Sequence, residues 1–151
     1  MVDIVDSATR SRMMRGIRGK DTKPEVQLRK ALFARGFRYR LHVSSLPGSP
    51  DIVLPKYRAA IFVHGCFWHG HDCHLFRLPA TRTEFWRDKI EGNRQRDSRT
   101  LLELQAASWR VLTVWECAMK GKTRLACDEL VQRVSVWITG NSVRKEIAGS
   151  V

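Results

Sequence analysis

A short loop near the middle of the chain concentrates side chains that bind metals. Cys66, His71 and Cys73 lie close together in it, and Cys117 follows far downstream at the end of a strand-like run. Two or three thiolates with an imidazole are the usual tetrahedral set for Zn²⁺. Because protein ligands would fill all four positions, the pattern predicts a structural zinc site. Cys127, inside the final helix, is expected to be a small core residue instead.

A second candidate site pairs a carboxylate with an imidazole. Asp51 begins a strand after a loop of Gly, Ser and Pro, and His64 ends the next strand. The two side chains are therefore expected at neighbouring strand positions. Mg²⁺ prefers carboxylate oxygens and water, and phosphodiester hydrolysis needs such a metal with a proton acceptor. An Asp after Pro is also a common turn cap, and taken alone that role is the more frequent one.

Two aromatic residues stand beside the metal-binding residues. Phe67 and Trp68 lie in a polar loop with little core to receive them, whereas Trp109 and Trp115 lie in apolar runs and are expected in the core. Flat apolar side chains can insert between bases, at a cost that is lowest where the bases are mismatched. The basic N-terminal segment carries Met14, which could insert in the same manner.

The charge of the chain predicts its partner. Its 27 Lys and Arg against 15 Asp and Glu give a net charge of +12, which favours a polyanion such as nucleic acid. A membrane is not expected, because no basic amphipathic helix, lipidation motif or apolar span is evident. The N-terminus also lacks the order of a signal peptide, so a cytosolic protein with reduced thiols is expected.

The pattern of apolar residues predicts the element order α-β-β-β-α-β-α, a mixed sheet with helices on its faces. Thr22 and Glu25 form a capping box at the first helix, and Gly36 ends it. The remaining elements are strands at 37–42, 51–54, 59–64 and 110–115, a helix from Thr81 towards Ala107 with a possible break at Gly92, and a final helix burying Leu130, Val131, Val134, Trp137 and Ile138.

Four motifs resemble one known family. They are Pro50-Asp51, the run from Phe62 to His69, the run from Pro79 to Trp86, and the run from Trp109 to Cys117. These runs are similar to the very-short-patch repair endonucleases, and the resemblance extends from about Thr9 to Trp137. It implies the restriction-endonuclease fold. It also implies an enzyme that nicks double-stranded DNA 5′ to the thymine of a T·G mismatch, the lesion left when 5-methylcytosine deaminates.

The resemblance also implies roles for individual residues. Asp51 would bind catalytic Mg²⁺ together with the carbonyl of Val63, and His69 would be the general base, supported by His64 and Glu25. The structural zinc would be bound by Cys66, His71, Cys73 and Cys117. Phe67, Trp68 and Trp86 would intercalate into DNA, in addition to Met14 of the basic N-terminal segment.

This sequence departs from the patterns it resembles at two places. Ala60-Ile61-Phe62 stands where most enzymes of this fold have a second acid and a lysine, so His64 and His69 are expected to take up the proton chemistry. Position 63 is Val where family members have Thr. Since the expected contact is through the backbone carbonyl, the exchange should be harmless.

The expected organisation is a mobile basic arm at 1–20, a single nuclease domain at 21–139 and a disordered tail at 140–151. We expect a monomer in the bacterial cytoplasm, at the nucleoid, with DNA repair proteins as possible partners. Two alternatives remain open at this point. One is a catalytically silent, zinc-containing DNA-binding module, from which only Asp51, His64 and His69 distinguish an enzyme. The other is an RNA-binding protein, since stacking aromatic residues also serve single strands.

Overall fold

A computed structural model of the chain describes residues 22–150. The helices and strands, in chain order, are α1 (Lys23–Ala34), β1 (Arg40–Leu41), β2 (Ile52–Leu54), β3 (Ala59–His64), α2 (Thr83–Ala106), β4 (Arg110–Trp115), α3 (Cys127–Thr139) and β5 (Arg144–Ile147). Short 3-10 turns at Pro55–Tyr57 and Glu116–Ala118 follow β2 and β4. The predicted fold class, a mixed α/β fold, is confirmed. The expected arm at 1–20, including Met14, lies outside the described residues.

The sheet has five strands in the order β1-β2-β3-β4-β5. Strands β1, β2 and β3 pair antiparallel, and β3, β4 and β5 pair parallel. The β3–β4 ladder runs in register from Ala59 opposite Arg110 to His64 opposite Trp115. The C-terminal ends of β3 and β4 therefore lie side by side at one end of the sheet. None of the helices in residues 22–150 is both long and apolar enough to cross a membrane.

Helices cover both faces of the sheet. The main core joins α1 and α3 to the sheet through side chains such as Leu32, Leu54 and Val134. A smaller core on α2 packs Leu104 against Phe62 and Val111. The predicted buried face of α3 is confirmed, since all five of its residues are buried.

Helix α1 begins as its sequence predicts, except for one side chain. The hydroxyl of Thr22 accepts a hydrogen bond from the Glu25 N–H at 3.4 Å, and Gly36 follows the helix with a left-handed φ of +94°. The Glu25 carboxylate does not complete the capping box. It turns inward to Arg29 and His42, so only half of the predicted motif forms.

Helix α2 differs from its prediction at its start and at its middle. It begins at Thr83, after Arg82 in the left-handed region, and the Thr83 hydroxyl donates to the carbonyl of Pro79 at 2.8 Å. It then continues through Gly92 without a break. A glycine inside a helix costs about 1 kcal/mol relative to alanine, which the length of this helix tolerates.

Arg110 joins β4 to the end of α3. Its guanidinium donates to the carbonyl of Ile138 at 3.0 Å and also to that of Trp137, whose ring it covers at 4.4 Å. These carbonyls are among those that a helix C-terminus leaves without partners in the helix. Burial lowers the pKa of Arg110.

The prediction of a disordered tail from residue 140 is wrong for β5. Arg144–Ile147 pairs in parallel with β4, and Ile147 is buried at 2% exposure. Three of the four residues of this strand are charged, so the alternation that signals a half-buried strand is hidden. Pairing with β4 and burial of one isoleucine stabilise it nevertheless.

We predict that Ile147→Ala lowers the free energy of unfolding by about 2–4 kcal/mol, because it empties a fully buried position. Val143→Ala is the matched control. Val143 is 63% exposed, and surface substitutions usually change stability by less than about 0.5 kcal/mol. Urea unfolding measures both. An Ile147→Ala protein as stable as Val143→Ala would show that β5 is not part of the folded core.

Candidate active site and metal centre

A tight loop delivers Asp51 to the edge of the sheet. Gly48 and Ser49 both have left-handed backbones, with φ of +74° and +49°. A Cβ at Gly48 would lie 2.4 Å from the Thr100 methyl group, so any other residue there would force Thr100 to shift. The turn places the Asp51 carboxylate against β3, where its Oδ2 accepts a hydrogen bond from the Val63 N–H at 2.7 Å.

Asp51 belongs to a cluster of two carboxylates and an imidazole. One donor atom from each of Glu25, His42 and Asp51 lies within 4.8 Å of the others. Burial raises the pKa of Asp51 to about 6, the Val63 N–H and His42 lower it, and the nearby Glu25 raises it. Ionisation of Asp51 in the folded protein is therefore unfavourable, and a bound dication would offset this free-energy cost.

The second cluster contains two stacked histidines. The rings of His64 and His69 lie 3.7 Å apart and nearly parallel, and His69 Nδ1 lies 2.7 Å from Asp97 Oδ2. Burial, reinforced by His69, lowers the pKa of His64 to about 3. His64 is therefore neutral at physiological pH. Because a carboxylate only accepts, the short contact with Asp97 requires the proton on His69 Nδ1 and leaves Nε2 able to accept one.

Both clusters contribute to one cleft of about 440 Å³. Asp51, Val63, His64 and His69 line it, together with the aromatic side chains of Phe67 and Trp68. The structure thus brings together the residues that the sequence assigns to catalysis, with Glu25 directly behind Asp51. It also adds Glu116 to the lining, which accepts a hydrogen bond from the Cys66 N–H at 3.2 Å.

The aromatic residues form a cluster at the mouth of this cleft. Phe67 lies 5.1 Å from Trp68 and 5.6 Å from Trp86, and the two tryptophan rings lie 5.9 Å apart. All three are half-buried. Asn93, on α2, donates to the Trp68 carbonyl at 2.8 Å and so fixes the loop to the helix. The three rings are well placed to meet a flat ligand.

Four side chains with sulfur and nitrogen donors form a third cluster beside the histidines. Donor atoms of Cys66, His71, Cys73 and Cys117 all lie within 4.8 Å of one another. His71 Nδ1 is 3.6 Å from the sulfur of Cys66 and 3.7 Å from that of Cys117. Tetrahedral zinc with ordinary bond lengths requires S···N separations of about 3.6 Å. The donor set therefore fits zinc.

The surroundings of this cluster also suit a metal. The His71 ring stacks on Trp115 at 4.2 Å, and Gly149 N–H donates to the Cys117 sulfur at 3.3 Å. Burial raises the pKa of the Cys66 and Cys117 thiols and lowers that of His71. The thiols therefore stay protonated without a cation, and metal binding would release those protons.

Besides Glu116, sequence reasoning missed Asp97 and His42, and outside the site it misplaced Cys127. Asp97 lies in the middle of a long charged helix and His42 at the end of a very short strand, so no local pattern marks either. Their contacts with His69 and with Glu25 arise only from the packing of α1, α2 and the sheet. Cys127 is exposed, not buried as predicted, because it begins α3 on its outer side.

A mixed sheet that presents a partly buried carboxylate and two imidazoles in one open cleft suits a hydrolase acting on phosphodiesters, which needs a metal-binding carboxylate and a proton acceptor. Comparisons with known proteins agree. The family model for DNA mismatch endonuclease Vsr matches residues 2–75. The DNA mismatch endonuclease Vsr of Escherichia coli is 48% identical over 147 residues, which cover 97% of this chain and 94% of that protein.

Two further relatives carry the names of nicking enzymes. The type II nicking enzyme V.XorIIP of Xanthomonas oryzae is 47% identical over 79% of this chain and 88% of its own. The type II nicking enzyme V.NmeAIP of Neisseria meningitidis is 45% identical over 89% of this chain and 94% of its own. The chain belongs to the DNA mismatch endonuclease Vsr family, a family of DNA-cleaving hydrolases, and its sheet and helices have the restriction-endonuclease-like fold that this membership implies.

We predict that Asp51→Asn stabilises the protein in buffer without added magnesium. The folded pKa of Asp51 lies above its ordinary value of 3.8, at about 6, so stability falls as pH rises through this range. The advantage of Asn should grow by roughly 1 kcal/mol between pH 5 and pH 7.5. Urea unfolding at several pH values measures it. Asp88→Asn, on the exposed surface of α2, controls for the loss of charge, and an equal pH dependence there would refute the assignment.

We predict that Cys73→Ala loses bound metal and lowers Tm by roughly 10 °C, since a structural metal contributes its binding energy to folding. Cys73 is only half-buried, so the cavity left by its sulfur contributes little. Cys127→Ala is the control, because this exposed thiol lies outside the cluster. Elemental analysis and thermal unfolding follow both. Wild-type protein that is folded and active without stoichiometric zinc would contradict the prediction.

Proposed function

We propose that this protein nicks double-stranded DNA 5′ to the thymine of a T·G mismatch by magnesium-dependent hydrolysis, and so initiates very-short-patch repair. The observation that carries the proposal is the single cleft in which Asp51 and His69 face Phe67 and Trp68. A metal-binding carboxylate, a proton acceptor and a stacking surface are the three elements that a mismatch-directed nuclease needs. The names of the relatives support the same activity.

Asp51 is the expected ligand of the catalytic Mg²⁺, with the Val63 carbonyl beside it. The fit rests on the carboxylate itself, which is desolvated, close to Glu25 and oriented by the Val63 N–H. Such a carboxylate gains more from a hard dication than an exposed one does. When bound, magnesium would supply Lewis-acid stabilisation of the charge that develops on the phosphate.

His69 is the proposed general base. Asp97 holds its Nδ1, so that Nε2 can take the proton of the attacking water, and the neutral His64 stacked on it adds no competing positive charge. Asp97 is thus a positioning residue that acts through His69. A positioned acid or base typically contributes a factor of about 10²–10⁴ in rate.

The aromatic cluster is the proposed source of mismatch preference. Phe67, Trp68 and Trp86 would enter the base stack beside the T·G pair, with Met14 entering from the other groove. Insertion requires the bases to unstack, which costs least at a weakened pair. The mismatch thereby lowers the cost of binding at the site where the cleft meets the phosphate.

The cluster of Cys66, His71, Cys73 and Cys117 is the proposed structural zinc site. Zinc there would pin the aromatic loop to the end of β4 and leave no ligand position open for chemistry. We further propose a monomer that works in the bacterial cytoplasm, at the nucleoid, with DNA repair proteins as possible partners. The net charge of +12 suits an extended contact with the DNA backbone.

We predict that wild-type protein with Mg²⁺ nicks a T·G duplex, and a matched duplex far less, and that Asp51→Ala abolishes nicking but not mismatch binding. His69→Ala should lower the single-turnover rate by about 10²–10⁴ with binding retained. Gel shift in Ca²⁺ measures binding, and mapping of the labelled strand measures nicking.

Trp68→Ala is the complementary variant. It should lose preference for T·G over matched DNA while the zinc content stays unchanged. If Asp51→Ala nicks at the wild-type rate, the assignment of the active site to Asp51 is wrong. Tight binding by a wild-type protein that never nicks would instead favour a catalytically silent DNA-binding module, and selective binding of single-stranded RNA would exclude the mismatch mechanism.

A further inference from the structure

We infer that His42 is a positioning residue of the Asp51 site, which holds the Glu25 and Asp51 carboxylates in the orientation that binds the divalent cation. The inference rests on the proposed function, because it concerns the affinity of the same site for its metal. His42 lies outside the motifs that carry the family resemblance, and its place at the site follows from geometry alone.

The imidazole of His42 lies against both carboxylates, which are themselves close to each other. Its Nε2 is 3.2 Å from Glu25 Oε2, and its Nδ1 is 3.9 Å from Asp51 Oδ1. Only 13% of the side chain is exposed. Because carboxylate oxygens only accept hydrogen bonds, the 3.2 Å contact requires a proton on Nε2. The ring therefore fixes Glu25 on one side and faces the metal-binding carboxylate on the other.

The backbone of His42 is held in an unfavourable conformation at this point. Its φ of +49° lies in the left-handed region, which is uncommon for residues other than Gly, although Asn, Asp and His adopt it more often than the rest. The His42 N–H donates to the Asp51 carbonyl at 3.1 Å, so the two residues are tied together by their backbones as well. Strained positions of this kind persist only where the surrounding structure enforces them, and they concentrate at functional sites.

The opposite side of Glu25 is also fixed. Glu25 is 3% exposed and is the one charged residue in the buried core of residues 22–150. Its Oε2 accepts a hydrogen bond from Arg29 at 2.8 Å, and the Arg29 carbonyl in turn accepts one from the Tyr39 hydroxyl at 2.9 Å. Arg29 and His42 thus hold one carboxylate oxygen from two directions, and the Glu25 side chain cannot rotate without losing both.

Removal of the imidazole leaves two adjacent carboxylates without the ring that contacts both. Glu25 then loses a contact on the side that faces Asp51, and like charges favour a rearrangement of both side chains. Substitution of a residue that orients metal ligands typically lowers metal affinity or activity by about 10–100-fold. The expected defect is weaker cation binding, while chemistry at saturating cation is affected less.

Three substitutions distinguish positioning from a structural role. His42→Ala removes the imidazole and keeps the backbone strain, His42→Gly removes both, and His42→Gln keeps an N–H donor that reaches towards Glu25. Ser108 has a φ of +66° and lies between α2 and β4, at the far end of the β3–β4 ladder from the cleft. Ser108→Ala and Ser108→Gly therefore repeat the backbone change as matched controls.

The experiment measures the Mg²⁺ concentration that gives half of the maximal single-turnover nicking rate, and the dissociation constant of Mn²⁺ from the DNA-free protein by electron paramagnetic resonance. We expect His42→Ala and His42→Gly to raise both values by about 10–100-fold, with Gly the more thermally stable of the two. His42→Gln should stay within about fivefold of wild type, a partial rescue consistent with a retained donor. The Ser108 variants should change Tm alone.

A His42→Gly protein with wild-type affinity for both cations would overturn the inference, since His42 would then matter only through its backbone. Equal defects in folded His42→Gln and His42→Ala would overturn it as well. Failure of the proposed function looks different. Wild-type protein would then nick no T·G duplex at any Mg²⁺ concentration, while Mn²⁺ binding by the His42 variants would still decide the role of this residue.

Discussion

The in-register parallel pairing of β3 with β4 is the constraint on which both candidate metal centres depend. It sets His64 beside Trp115 at the ends of the two strands, so that Cys66 and Cys117 follow directly at the same edge. A slip of one residue would turn every side chain of a strand to the opposite face. The burial of Ile61, Leu112 and Val114 opposes such a slip, and so the core fixes the spacing of the site.

The two centres lie close together but differ in the metals that their ligands select. Soft sulfur and nitrogen donors surround Cys66, whereas carboxylate oxygens surround Asp51, and ligand type is the main means by which proteins separate zinc from magnesium. His71 and His69 come from one short loop, and they serve different clusters. Gly70 lies between the two histidines and packs closely against α2. A Cβ at this position would lie 2.7 Å from Ile90. The loop must therefore press against α2.

The sequence predicts most of the fold and the sulfur-rich cluster, because these depend on local patterns. The apolar stripe of α3 and the capping Thr22 are readable within a few residues of chain. What it does not predict depends on packing between distant segments. The charged strand β5 forms because β4 offers it a partner, and Glu25 turns from its expected capping role because a buried carboxylate gains more from Arg29 and His42.

The roles of Asp97 and His42 illustrate the same limit. Each is an ordinary polar residue in its own segment, and each joins the candidate site only because another element brings a partner within reach. Without the α2 carboxylate, His69 would lose its hydrogen-bond partner, and without His42, directly after β1, Glu25 and Asp51 would lose the imidazole that contacts both. Sequence motifs identify the groups that react, whereas the groups that orient them come from the packed structure.

The central claim is that two metals occupy two separate centres, and anomalous X-ray scattering from one crystal tests it most directly. The crystal would contain the protein with a T·G duplex and Mn²⁺ in place of Mg²⁺, with data recorded on either side of the zinc edge and at longer wavelength for manganese. The account predicts a zinc peak among Cys66, His71, Cys73 and Cys117, and a manganese peak at the Asp51 carboxylate. Manganese absent from Asp51 in a crystal with intact DNA, or zinc in the cleft beside His69, would contradict it.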